Sequence, residues 1–149
     1  MKRLAIIGMG KMGRAVDALA LAHGFQVVAR IDRADGDARV VTTETLNGAE
    51  VAVEFTVPDA APENVRACAA ARCPIVVGTT GWEARRAEVE QCVTDAGGAL
   101  FAAPNFSLGM AAFTMIVEAA GRAVRAVPGF DAHLVETHHA QKKDAPSGT

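Results

Sequence analysis

The chain has 149 residues, 50% hydrophobic and 21% charged, which suits one ordinary globular domain with little left for a second. A formal net charge of -2 and the lack of any long basic run give no electrostatic case for nucleic acid. With Trp at 1 and Tyr at 0 there are few stacking platforms for single strands, and no apolar run approaches the roughly 20 residues that cross a bilayer.

The start, Met1 to Ile7, has the basic-then-apolar order of a signal peptide, but Gly8, Gly10 and Lys11 cut the apolar stretch short. Cys68, Cys73 and Cys92 are odd in number and form no CxxC pair. They read as small buried hydrophobes in a reduced, soluble, cytoplasmic protein.

Leu4-Ala5-Ile6-Ile7 is wholly apolar, as expected of a strand buried on both faces of a parallel sheet. Gly8-Met9-Gly10-Lys11-Met12-Gly13 follows at once. Arg14 to Ala22 then reads as a helix, with Ala15, Leu19 and Ala22 at helical spacing and Val16 between them. Gly24 ends it, Phe25 to Ile31 is a second strand rich in β-branched residues, and Asp32 closes that strand. A lone GxGxxG is weak; strand, glycine turn, helix, strand and acidic residue within about 30 residues form a dinucleotide-binding fingerprint. There Gly8 permits the tight turn, Gly10 lets a pyrophosphate approach the backbone, and Gly13 lets the helix pack on the strand. The helix N-terminus offers free N–H groups and partial positive charge to the phosphates. Asp32 can accept both ribose hydroxyls of NAD, and Arg33 beside it can pair with the 2′-phosphate of NADP.

Asp35-Gly36-Asp37 reads as a turn and Thr42 to Asn47 as a polar connection with room for a short helix. Glu50 to Thr56 is a third strand, Asp59 to Ala71 a crossover helix, and Pro74 to Val77 a fourth strand. Arg85 to Ala96 is another helix, stopped by Gly97-Gly98, and Ala99 to Ala102 a fifth strand. A long apolar helix runs from about Leu108 to Val127. The alternation predicts an α/β, Rossmann-like, doubly wound parallel sheet over residues 1–127, with ligands at the carboxyl ends of its strands. Gly8–Gly13, Phe55–Pro58 with Gly78–Trp82, and Ala103–Ser107 therefore share one rim. Thr79, Thr80 and Asn105 are the polar side chains best placed to meet a nicotinamide or its ribose, although each can equally cap the next helix.

Pro128-Gly129 breaks the long helix, and Phe130 to His138 alternates loosely, as a strand with one solvated face does. Residues 128–149 read as the incomplete beginning of an α+β substrate domain. The final stretch gathers His138, His139, Lys142, Lys143 and the turn Pro146-Ser147-Gly148-Thr149. Imidazoles pass protons near neutral pH, lysines are point charges for an anion, and a Ser-Gly-Thr turn can aim backbone N–H groups at one oxyanion. Adjacent strand residues point to opposite faces, so His138 and His139 should not share a job. Lys142 can be an acid or a charge stabiliser. No metal is expected, because neighbouring histidines suit one ion poorly and no Cys stands nearby.

Glu136-x-His138-His139-x-x-Lys142-x-Asp144-Ala145-Pro146-Ser147-Gly148-Thr149 resembles the signature of the 4-hydroxy-tetrahydrodipicolinate reductase family, long called dihydrodipicolinate reductase. The glycine loop, Gly78-Thr79-Thr80-Gly81 and Ala103-Pro104-Asn105-Phe106-Ser107 resemble its cofactor segments in the right order. The resemblance implies an enzyme using NADH, NADPH or both to reduce a small dicarboxylate in the diaminopimelate route to lysine. It implies His138 as proton donor or acceptor and Lys142 as proton donor, with His139, Ser147, Gly148 and Thr149 holding substrate carboxylates. Gly8 through Gly13, Asp32, Arg33, Gly78, Thr79, Thr80 and Ala103 through Phe106 would hold the dinucleotide. The glycine loop is one residue shorter than in many members. The resemblance further implies a homo-oligomer, a tetramer, for full-length members, and a chain that continues past Thr149; a fragment is therefore expected. Two function classes follow: the reductase, or a non-catalytic NAD(H)-binding module or inactive fragment of it. The His-His and Asp-Ala-Pro-Ser-Gly-Thr string favours the reductase lineage.

Overall fold

Strand β1 (Lys2–Ile7) is an inner strand of a five-stranded sheet in the computed structural model, which describes residues 1–32, 40–130, 132, 133, 135 and 137. Its neighbours are β2 (Phe25–Ile31) on one side and β3 (Val51–Glu54) on the other, followed outward by β4 (Ile75–Val77) and β5 (Leu100–Ala102). Every pairing is parallel, in the order β2-β1-β3-β4-β5. The predicted alternation of strands and helices is thus realised as a doubly wound α/β sheet.

Period-two alternation divides the apolar strand residues between two cores. Ala5 and Ile7 of β1, Ala29 and Ile31 of β2 and Ala52 of β3 enter the larger cluster, with Val65, Cys68 and Ala69 of helix α2 (Ala61–Ala70) and Val89 and Val93 of helix α3 (Arg86–Asp95). Leu4 and Ile6 enter the smaller one, against Val16 and Ala20 of helix α1 (Lys11–Ala20). A continuous apolar run in β1 is therefore the signature of a strand covered on both sides.

Helix α1 differs from its sequence reading in start and in face. It begins at Lys11, inside the glycine motif, with Gly10 as its N-cap. A tighter turn, Leu21–His23, finishes it, and Gly24 at φ 80° returns its N–H to the Leu21 carbonyl. Gly13, Val16 and Ala20 face the sheet, whereas Leu19 is 57% exposed. Its predicted apolar repeat through Ala15, Leu19 and Ala22 lies on the other side, because the small Gly13 lets that part of the helix come closest to β1. The polar connection 42–47 closes as turns, with Thr42 and Thr45 bonded to each other's backbone N–H and Leu46 buried. Cys68 and Cys73 are buried and Cys92 half-buried, and all three are free thiols. The hydrogen bond it shares with Cys73 holds the Cys68 thiol above its ordinary range, and burial adds to the effect.

The chain divides into two units, Met1–Ala103 and Pro104–Thr149. The first holds the whole sheet. The second holds helix α4 (Leu108–Arg125), capped by Ser107, whose hydroxyl accepts from the Met110 N–H at 3.4 Å. The turn read at Asp35-Gly36-Asp37 lies outside the described residues, as do Asp131, Leu134, Glu136 and His138 of the strand read over Phe130 to His138; its described residues, Phe130, Ala132, His133, Val135 and Thr137, form no strand. Among the described residues no helix is long and apolar enough to cross a membrane.

Candidate functional site

Strand order reverses between β1 and β3, and ligands of open α/β sheets bind in the crevice outside the carboxyl ends of the strands at such a switch point. A crevice of about 400 Å³ lies there in the first unit. Its walls come from the ends of three strands and the start of two helices: Ile7 to Gly10, Arg14, Ile31 and Asp32, Phe55 to Val57, and Ala60 and Asn64.

The glycines of this wall are required for different reasons. Gly8 turns the chain at φ +91°, and a methyl group there would lie 2.2 Å from the Phe55 carbonyl oxygen. A methyl on Gly13 would lie 1.9 Å from the Gly8 carbonyl oxygen, so helix and turn need that position bare. A methyl on Gly78 would strike the Phe55 ring at 2.0 Å. Gly10 is the exception: nothing of the protein lies within 4 Å of a methyl built there, and its φ of -68° suits any residue. Packing does not ask for glycine at position 10. What the missing side chain leaves open is the approach to the N-terminus of α1, where backbone N–H groups and the positive end of the helix dipole favour an anion.

Asp32, at the carboxyl end of β2, accepts from the Met9 N–H at 3.2 Å through Oδ2. The glycine turn and the acidic residue are thereby fixed to each other. On the other wall the Thr56 N–H is shared, donating to Thr79 Oγ1 at 2.8 Å and to Glu54 Oε1 at 3.1 Å. The Thr79 carbonyl in turn accepts from the buried Trp82 indole N–H at 2.8 Å. Loops 55–57 and 78–82 are therefore joined, with Thr79 held at its side chain and at its backbone.

Glu54, the last residue of β3, is wholly buried. Its Oε1 accepts from Thr56 Oγ1, from the Thr56 N–H and from Asn64 Nδ2 at 3.3 Å. Its Oε2 has no partner among the described residues. A buried acceptor left unmade costs about 1–3 kcal/mol.

Of the residues singled out in the sequence, Gly8, Met9, Gly10 and Asp32 line one crevice. Lys11, Met12 and Gly13 form the first turn of α1, with Lys11 and Met12 exposed. Gly78, Thr79, Thr80 and Ala103 follow β4 and β5 on the same rim of the first unit, and the Ala103 N–H donates to the Val77 carbonyl at 3.2 Å. Pro104, Asn105 and Phe106 belong to the second unit, where Asn105 Oδ1 accepts from the Ser107 N–H at 2.8 Å. Arg33, His138, His139, Lys142, Ser147, Gly148 and Thr149 lie outside the described residues. Sequence reasoning did not single out Arg14, Asn64 and Glu54, and it placed Thr56 on the rim only as part of the loop Phe55–Pro58. Glu54 had one signal, a carboxylate closing an otherwise apolar strand, but the Thr56–Thr79 bond spans 23 positions and has no local signature. Among the described residues no three His, Cys, Asp or Glu side chains are grouped to hold a metal ion.

Residues 2–106 match the family described as "Dihydrodipicolinate reductase, N-terminus", and residues 109–149 match "Dihydrodipicolinate reductase, C-terminus". The chain is 40% identical over 146 residues to the 4-hydroxy-tetrahydrodipicolinate reductase of Natronomonas pharaonis, covering 94% of this chain and 58% of that protein. It is 37% identical over 167 residues to the Thiobacillus denitrificans enzyme of the same name, covering 99% and 61%. The chain thus spans about three fifths of the length of these curated relatives. Among solved structures it resembles a dipicolinate-bound dihydrodipicolinate reductase from Paenisporosarcina, with a TM-score of 0.72 and 27% identity over 99% of this chain and 62% of that one.

Proposed function

The chain belongs to the dihydrodipicolinate reductase family, and from that premise we propose that it carries the nucleotide-binding half of a reductase. In a protein of its relatives' length it reduces 4-hydroxy-tetrahydrodipicolinate to tetrahydrodipicolinate, on the path to diaminopimelate and lysine. The cytoplasm is its place of work and a homo-oligomer, a tetramer, its assembly. The bare approach over Gly10 carries the nucleotide reading: packing demands glycine at 8 and 13 and leaves position 10 open, as a pyrophosphate approaching the start of α1 requires.

The residues present fit a nicotinamide dinucleotide. The pyrophosphate takes the N–H groups at the start of α1, with the Arg14 cation on the same wall. Asp32 takes ribose hydroxyls, and Arg33 gives a 2′-phosphate a counter-charge, so NADH, NADPH or both can serve. Thr79 and Thr80, with Asn105 and its neighbours, address the nicotinamide end. Bound there, a reduced nicotinamide supplies a hydride. The chain handles the proton: His138 donates or accepts it, Lys142 acts as donor or charge stabiliser, and His139, Ser147, Gly148 and Thr149 hold the carboxylates. That the Paenisporosarcina relative binds dipicolinate supports a dicarboxylate substrate.

Titrating this chain with NADH and NADPH and following nucleotide fluorescence tests the binding half. Gly10→Ala should keep wild-type stability but weaken binding, because its methyl meets the ligand and nothing else; Asp32→Ala should weaken NADH. Absence of binding, or binding indifferent to both changes, removes the assignment.

A further inference from the structure

We propose that Glu54 is a positioning residue for the nucleotide, setting the crevice wall through Thr56, Asn64 and Thr79 without touching the ligand. The inference deepens the nucleotide-binding reading and rests on it. Glu54 is 0% exposed at the end of β3, one residue before the loop that forms the far wall of the crevice. The three donors on its Oε1 belong to Thr56 and Asn64, and both of those residues line the crevice. Asn64 also reaches Thr56 Oγ1 at 3.4 Å, so acceptor, hydroxyl and amide close a small ring between β3 and α2.

One further bond carries the effect across the rim. The N–H that donates to Glu54 also donates to Thr79 Oγ1, and the Thr79 carbonyl is tied to Trp82. Removing the Glu54 acceptor leaves the Thr56 hydroxyl and the Asn64 amide only each other and the Val57 carbonyl as partners, and the wall they form loses its buried anchor. Among the described residues Glu54 Oε2 has no partner, and a buried carboxylate used through one oxygen only is a poor stability device. A side chain kept only for stability would be apolar or satisfied at both oxygens, whereas one kept for where it aims its donors can carry an unmade bond.

Glu54→Gln and Glu54→Met separate the two roles. Gln keeps an acceptor oxygen at the same reach; Met keeps the apolar volume and removes both oxygens. Each variant of the full chain is titrated with NADH and melted, and the emission of Trp82, the single tryptophan, reports the 78–82 loop directly. Glu54→Met should bind NADH about tenfold more weakly or worse, as expected when a supporting residue lets a site drift. Its Trp82 emission should shift, and its melting temperature should be no lower than wild type. Glu54→Gln should stay close to wild-type affinity. Unchanged affinity in Glu54→Met overturns the proposal, and so does a loss of affinity that only tracks a loss of stability. If wild type itself binds no nucleotide, the nucleotide-binding reading falls and this inference with it; if wild type and Glu54→Met bind alike, Glu54 alone loses its role.

Discussion

Arg30 reaches from β2 to α1 with two hydrogen bonds, Nε and Nη2 to the two oxygens of Asp17 at 2.8 and 2.6 Å. The Arg30 hydrogen bonds hold the Asp17 carboxyl below its ordinary value of 3.8, against a smaller opposing effect of burial. A carboxyl depressed by folding stabilises the protein above its unfolded pKa and loses that contribution as pH falls through the folded value. Half of the Arg30 side chain is exposed, so water screens the pair and its worth is at most about 1 kcal/mol. Asp17→Asn should therefore cost up to about 1 kcal/mol at pH 7 in urea unfolding, and variant and wild type should converge below pH 3.8. A gap that persists in acid would assign Asp17 a role other than its charge. At this scale the sequence exposed some residues and hid others for a physical reason. Gly10 and Asp32 are legible because a motif sets their spacing along one chain segment. Glu54 and Thr79 are not, since their meaning comes from partners brought together only by the sheet.

Helix α2 shows how an element's end is set by backbone hydrogen bonds. The Arg72 N–H donates to the Ala69 carbonyl at 3.0 Å and the Cys73 N–H to the Cys68 carbonyl at 2.9 Å, the paired bonds of a Schellman ending. That ending needs a left-handed residue, and Arg72 takes it at φ 54° where glycine is the usual occupant. Cys68 and Cys73, both buried, occupy the two positions whose apolar contact normally accompanies such an ending. Arg72→Gly should remove the steric cost of a Cβ in this conformation, offset in part by glycine's looser unfolded chain. The net gain should be about 0.5–1 kcal/mol, seen as a higher urea midpoint with unchanged slope. No gain would mean that the Arg72 side chain contributes as much as its backbone costs. The existence and order of these elements were legible from apolar runs and glycine stops. The end of α2 was legible to within one residue, Ala71 read against Ala70 observed, although Arg72 carries no left-handed signal; the buried face of α1 was not, because it follows from how closely Gly13 lets that helix approach β1.

For the molecule as a whole, the two halves of the proposed reaction sit at opposite ends of the chain. The hydride half is built from β1, α1 and β2, where local sequence dictates local structure. The proton half is proposed for His138 and Lys142, where a motif speaks through residue types and spacing. The division has a kinetic consequence, since nucleotide contacts set affinity while a positioned acid acts on the barrier alone. In a protein extended to its relatives' length, His138→Gln should lower kcat by about 10²–10⁴-fold, the usual worth of a general acid. It should leave the Kd for NADH near wild type, because the contacts proposed for the nucleotide are those of Gly8 to Gly10, Asp32 and the crevice wall, and a general acid acts on the barrier. Stopped-flow hydride transfer from NADH, read at several pH values, measures both quantities in one experiment. Losing His138 should also flatten the limb of the rate profile that an imidazole near neutral pH produces. Equal kcat in the variant would take His138 out of the mechanism and leave Lys142 as the donor. A Kd that weakens as much as kcat falls would instead place His138 among the residues that hold the nucleotide.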